Sequence, residues 1–230
     1  MKCEGMWKTF LKGHEDFYTI YNHPKFPERV TPHSILKAHI TPTTIPTQWA
    51  HLSLVKATIL MMKEALLDAD NHWFLLCSDS CIPIVDFKTI YEFLKGHDKT
   101  FFCYNAEYSK TKDSEKRYFR FQNKSLIPHK HFMKADQWFM MTRQGAEICA
   151  QSPHIQDFDR VFASDEHYFI NILRLYKIPF QNRWTTYTDH EIERTHALTF
   201  FEVSHRFLYY LQTQGFFFLR KVAHPLRFID

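Results

Sequence analysis

Apolar positions recur along this chain with two different spacings, and the changes between them mark out the elements. From Trp49 to Asp68, the residues Leu52, Val55, Ile59, Met62, Ala65 and Leu66 fall on one helical face, which predicts a long amphipathic helix. A shorter helix is predicted over Glu4–Lys12, apolar at Met6, Trp7, Phe10 and Leu11 and stopped by Gly13. Trp73-Phe74-Leu75-Leu76-Cys77 is instead a continuous apolar run, the pattern of a strand buried on both faces of a parallel sheet. Ser78-Asp79-Ser80 puts small polar groups at its carboxyl end, and Ile82-Pro83 is read as blocking both helix and ladder. Ligands of open α/β sheets bind outside such strand ends; a plain serine-rich turn fits these residues equally well.

Phe17–Tyr21, Thr100–Tyr104 and Asp136–Met141 are further predicted strands, and Phe87–Leu94, Arg143–Gln151 and Ser164–Lys177 further helices. This order predicts right-handed crossovers and a mainly parallel central sheet flanked by helices, an α/β fold in a single domain over residues 1–230. The proline-rich stretch 24–48 predicts a long loop. Residues 105–130 turn basic through Lys110, Lys112, Lys116, Arg117, Arg120 and Lys124, a solvated face or an acceptor-binding loop. At Ser164-Asp165-Glu166 the serine reads as an N-cap, with both carboxylates in the first turn where the helix dipole favours them.

Composition narrows the function mainly by exclusion. The 230 residues are 45% apolar, and the formal charge of +4 is dispersed, so neither nucleic acid nor a membrane surface has an electrostatic footprint. With five glycines there is no GxGxxG and no GxxxxGK[ST]. Five cysteines, Cys3, Cys77, Cys81, Cys103 and Cys149, lack zinc or redox spacing and read as reduced thiols. The polar start MKCEGMWKTF and the absence of a long apolar run predict a cytoplasmic protein with neither signal peptide nor membrane span. A hard divalent ion calls for paired carboxylates, and the residues after the buried strand supply only Asp79. Asp68-Ala69-Asp70 lies at the strand's other end and reads as a solvated turn, and His129 and His131 lack a third ligand. No metal and no cofactor is expected.

The ordered blocks Met6-Trp7-Lys8-Thr9-Phe10 with Gly13-His14, Tyr18–Tyr21, Trp49 with Leu66-Leu67-Asp68, Trp73–Pro83, Asp136–Phe139, Asp165–Phe169 and Phe218–Lys221 carry a resemblance over essentially the whole chain. They resemble the core-2/I-branching β-1,6-N-acetylglucosaminyltransferases and their peptide O-xylosyltransferase relatives. SDSCIP, DQWF and DEHYF are the sharpest of the blocks.

The resemblance implies a GT-A-like fold and a metal-independent, inverting transfer from a UDP-sugar to a hydroxyl of a glycan or glycoprotein acceptor. N-acetylglucosamine or xylose are the implied sugars. Glu166 matches the family's catalytic base, and Arg220 and Lys221 match the cations that take a metal's place at the diphosphate. Ser78, Asp79 and His23 fall on the donor side, His23 standing where relatives often carry an acid. Trp138, Asp165, Arg117 and Tyr187 fall on the acceptor side, with Trp184 a further aromatic for stacking. The family's first apolar strand has no counterpart ahead of Met6, so either the sequence is cut short there or the sheet lacks its first strand, and a weakened uridine pocket or loss of activity would follow. The lack of an anchor and of lumenal disulfides points to a microbial or viral member, in the host cytoplasm if viral. The competing expectation is a catalytically inactive module on the same fold that binds a UDP-sugar or a glycan.

Overall fold

The computed structural model describes residues 1–189 and 197–230. Among them α1 (Glu4–Leu11) and α2 (Leu52–Leu66) precede β1 (Trp73–Leu75), β2 (Ile82–Pro83), α3 (Phe87–Lys95) and β3 (Thr100–Phe102). Then come α4 (Lys112–Arg120), β4 (Met140–Thr142), α5 (Arg143–Gln151), α6 (Tyr168–Leu175), β5 (Phe180–Asn182) and β6 (Thr186–Thr188). The chain closes with β7 (Phe200–Ser204), α7 (His205–Thr213), β8 (Phe218–Arg220) and β9 (Val222–Ile229).

The main sheet has the order β1-β4-β3-β5. It corrects the expectation of a mainly parallel sheet: β4 runs antiparallel to both β1 and β3, and only β3 and β5 are parallel. The connection from β3 to β4 starts and ends at one end of the sheet, so β4 runs back instead of crossing over. That path carries α4, Lys134 and Trp138 past the carboxyl ends of β1, β3 and β5. A second sheet, β2-β8-β6, is also mixed. Ile82-Pro83, expected to block a ladder, pairs with Phe218 and Leu219; β2 is an edge strand, where a missing N–H is tolerated. The third sheet is the parallel pair β7 and β9.

Burial on both faces, expected of Trp73–Cys77, belongs to β3 and β4 instead. Phe101 and Met140 face one cluster with Trp7, Ile90, Leu94 and Phe218; their neighbours Phe102 and Met141 face another with Leu52, Val55, Tyr168 and Ile172. This is the twofold alternation of a strand with two covered faces. Strand β1 sits at the edge, with Leu75 37% exposed. Among the described residues it pairs with β4 alone.

The strand expected at Phe17–Tyr21 is absent. Glu15–Phe17 makes a 3-10 turn, and the nearest ladder contact is an isolated bridge from Asn22 to Ile40. Phe17 packs on Tyr91 at 5.2 Å and Tyr18 on Phe87 at 6.0 Å, so these side chains cover α3 while their backbone stays outside every sheet. The expected long loop at 24–48 carries only two short 3-10 turns, Pro27–Arg29 and Lys37–His39. Between this loop and the free edge of β1 lies a cleft of about 1380 Å³. Among the described residues no helix is long and apolar enough to cross a membrane.

Candidate functional site

The sheet end reached by β1, β3 and β5 gathers most of the residues singled out in the sequence. Ala163 precedes the acidic pair with φ +52°, a left-handed conformation that a side chain makes costly and that occurs disproportionately at functional sites. Ser164 does not cap a helix; its Oγ donates to the carbonyl oxygens of Phe158 and Val161 at 3.0 and 2.9 Å. Ser164–Glu166 is a single 3-10 turn, and α6 begins only at Tyr168. The helix expected from Ser164 is therefore broken where the carboxylates sit. The first-turn dipole account of their placement falls with it.

Glu166 accepts from Arg117 Nη1 at 2.8 Å and lies 3.3 Å from Lys134 Nζ. Arg117 also donates through Nε to Asp113 at 3.1 Å, and the Tyr108 hydroxyl donates to the same carboxylate at 3.1 Å. Behind them His167 is fully buried, its Nδ1 2.7 Å from the Met133 carbonyl and its Nε2 3.5 Å from Arg117. Burial lowers the imidazole to about 3, so it is neutral and accepts at Nε2 while Nδ1–H donates. Burial alone would weaken the Arg117 charge, but Glu166 outweighs it and holds the guanidinium firmly cationic. The Glu166 carbonyl accepts from Ala135 N–H at 2.8 Å, which ties the turn to the segment bearing Lys134.

Asp165 is a different kind of carboxylate. It is 9% exposed, and its Oδ1 is buried with no hydrogen-bond partner. Burial, reinforced by the Glu166 charge, raises it to about 7. Arg220 is the cation on its other side: its guanidinium lies 4.2 Å from the centre of the Trp138 ring, and its Nε donates to Ser78 Oγ at 3.3 Å. Burial lowers the Arg220 value below the ordinary one while the charges of Cys81, Asp79, Asp136 and Asp165 act the other way. Lys221 is lowered by burial first, then by Arg220 and Lys2, with Asp79 opposing. Beside them Cys81 is pushed up by burial, yet hydrogen bonds from Cys77 and Ser78 and the Arg220 charge more than offset this and leave it below an ordinary thiol. All five cysteines are free.

The structure thus brings together Ser78, Asp79, Trp138, Arg220 and Lys221, and joins them through Asp165 to Glu166 and Arg117. His23 lines the cleft beside β1 together with Ser78, Asp79 and Trp138. Its Nε2 accepts from Ile45 N–H at 3.0 Å, and its Nδ1 is buried without a partner. Tyr187 is not part of this group. Its ring packs on Phe207 and Phe216, 5.7 and 5.3 Å away, inside the cluster under α7. Trp184 packs on Phe216 as well, at 6.2 Å.

Sequence reasoning missed Lys134, Asp113 and Tyr108, and gave His167 no role beyond its place in DEHYF. A signal existed for Asp113, which stands four residues before Arg117 on a helix, the spacing of an ion pair. Asp68 and Asp70 form the turn expected of them: Asp68 Oδ1 accepts from Asp70 N–H at 2.9 Å, and Arg143 binds the Asp68 carbonyl at 2.8 Å. His129 and His131 are taken up by Ser114 and Arg174, at 3.0 and 2.9 Å. Among the described residues no group of three or more His, Cys, Asp or Glu side chains could hold a metal ion.

Comparison with known proteins places the chain in a family. The sequence model of the Core-2/I-branching enzyme family matches residues 1–210. Glycosyltransferase BC10 of Oryza sativa subsp. japonica is 22% identical over 155 residues, covering 65% of this chain. The match spans 37% of the rice protein's length.

Proposed function

Because the chain belongs to the Core-2/I-branching enzyme family, a glycosyltransferase family by its relatives, we propose that it is an inverting, metal-independent transferase. It moves N-acetylglucosamine or xylose from a UDP-sugar to a hydroxyl of a glycan or protein acceptor. The carrying observation is the Glu166 carboxylate, 28% exposed at its side chain and fixed by Arg117 and Lys134 next to the buried Asp165.

In this reading residues 1–230 are one GT-A-like transferase domain. Glu166 takes the proton from an acceptor hydroxyl, and the oxygen attacks the anomeric carbon from the face opposite UDP. The bond to the diphosphate oxygen breaks, and its electron pair leaves with UDP. Arg220 and Lys221 hold the charge that develops there, the role a divalent ion would otherwise fill. Ser78, Asp79 and His23 contact the donor; Trp138, Asp165 and Arg117 shape the acceptor side. Tyr187 acts only through its packing.

Asp165 supports a second assignment of the base. Its unpartnered oxygen and raised proton affinity suit proton transfer near neutrality. In that case Glu166 orients Arg117. A pH–rate profile separates the two assignments, since a limb near pH 7 that persists in Glu166→Gln belongs to Asp165.

Calorimetric titration with UDP, with and without EDTA, tests the donor half of the proposal. UDP binding unaffected by the chelator is expected; loss of binding on chelation would contradict the metal-independent reading. UDP binding with no transfer to any acceptor would select an inactive binding module.

A further inference from the structure

Trp49 and Phe162 are large aromatics left 55% and 50% exposed. They come from segments far apart in sequence, yet their rings meet edge to face at 5.6 Å and 75°. Each is followed by an alanine held in the left-handed region, Ala50 at φ +57° and Ala163 at φ +52°. The two alanines are bonded to each other, Ala163 N–H donating to the Ala50 carbonyl at 3.0 Å. Two strained, mutually locked backbones thus hold two apolar rings at the surface, where burial of neither ring explains the strain.

The rings also border the acidic turn. The Arg117 guanidinium lies 5.2 Å from the centre of the Phe162 ring, and its Nη1 reaches the Phe162 carbonyl at 3.4 Å and Glu166 at 2.8 Å. Glu166 N–H in turn donates to the Ala163 carbonyl at 2.9 Å. The result is a corner with aromatic walls and a charged rim.

We propose that Trp49 and Phe162 form the stacking platform for a pyranose ring of the acceptor, presenting its hydroxyls to the Glu166 side. This assignment rests on the transferase reading above and extends it to residues that reading does not use. A pyranose fits because it is amphipathic in the same sense as the corner, with C–H groups on a face and hydroxyls around the rim. A purely apolar peptide side chain would strip water from Arg117 and Glu166 without replacing its hydrogen bonds.

Saturation-transfer NMR on the full chain, with methyl galactoside, methyl N-acetylgalactosaminide and methyl xyloside as probes, tests the platform without needing turnover. At least one pyranoside is expected to bind, with its ring C–H protons saturated most strongly. Trp49→Ala and Phe162→Ala should each weaken it about tenfold, Trp49→Phe should retain most of the affinity, and Tyr209→Ala, a remote exposed aromatic, should change nothing. Melting temperatures recorded alongside check that the variants are folded. The platform is overturned if no pyranoside binds, if binding survives both alanine variants, or if only an apolar peptide probe shows dependence on the two rings. UDP titration of the same samples keeps the two claims apart. Ring-dependent pyranoside binding without UDP binding retains the platform and rejects the transferase. UDP binding with ring-independent pyranoside binding does the reverse.

Discussion

Asp165 and Glu166 are adjacent in sequence and opposite in surroundings, and that contrast generates the most specific expectations at the residue scale. Glu166 faces two cations, whereas Asp165 is buried with an unsatisfied oxygen and raised to about 7. An aspartate in the unfolded chain titrates near ~3.9, so the folded state holds this proton more tightly. Stability from Asp165 is therefore fully present below about pH 4 and is lost as pH rises through about 7, by on the order of 4 kcal/mol. Thermal unfolding of the wild type should weaken from pH 4 to pH 8 more steeply than that of Asp165→Asn. Equal slopes would show that the carboxyl is not protonated in the fold. Lys221 gives an independent expectation: Lys221→Ala should weaken UDP about tenfold or more while uridine binding stays nearly constant, because a charge-assisted contact to phosphate is lost. Equal loss for both ligands in a calorimetric titration would make Lys221 a structural residue.

At the scale of elements, α5 approaches the main sheet at Gly145. A Cβ there would lie 2.9 Å from Met141 Cγ and 3.1 Å from Thr100 Oγ1, against side chains that are themselves fully buried. Alanine would gain about 0.8–1 kcal/mol in helix propensity, but overpacking costs about 1–3 kcal/mol and should win. Gly145→Ala is expected to lower stability by about 1 kcal/mol in urea unfolding; a stabilised variant would mean that Met141 moves aside freely. Residues 143–151 were legible as a helix, because nine residues with a consistent buried face and a Thr142 cap leave little choice. So was α2, whose apolar spacing is sustained over four turns. The three-residue strands were harder. Apolar runs locate a strand but say nothing of its direction, which the path of residues 103–139 decides through contacts distant in sequence. Phe17–Tyr21 has a strand's composition yet spends its rings on α3, a choice set by the tertiary neighbourhood.

Across the whole molecule, three hydrophobic clusters fix where the candidate site lies. Two cover the faces of the main sheet, and the third joins β8 to α7, so Arg220 and Lys221 are delivered to the same end as Asp165 and Glu166. The site was legible as a set of short motifs, but not as an arrangement. Periodicity could not reveal that Arg117, in a run of basic residues, turns inward to Glu166, nor that Lys134 joins it. Tyr187 shows the converse, a motif match whose ring is spent on packing. The mechanism turns on removal of the acceptor's proton by Glu166. Its most direct test is the rate of acceptor-dependent UDP release by Glu166→Gln and Asp165→Asn, with UDP affinity measured on the same preparations. A loss of roughly 10²-fold or more is expected for Glu166→Gln, a much smaller loss for Asp165→Asn, and unchanged UDP affinity in both. A Glu166→Gln variant that turns over at nearly the wild-type rate would contradict it.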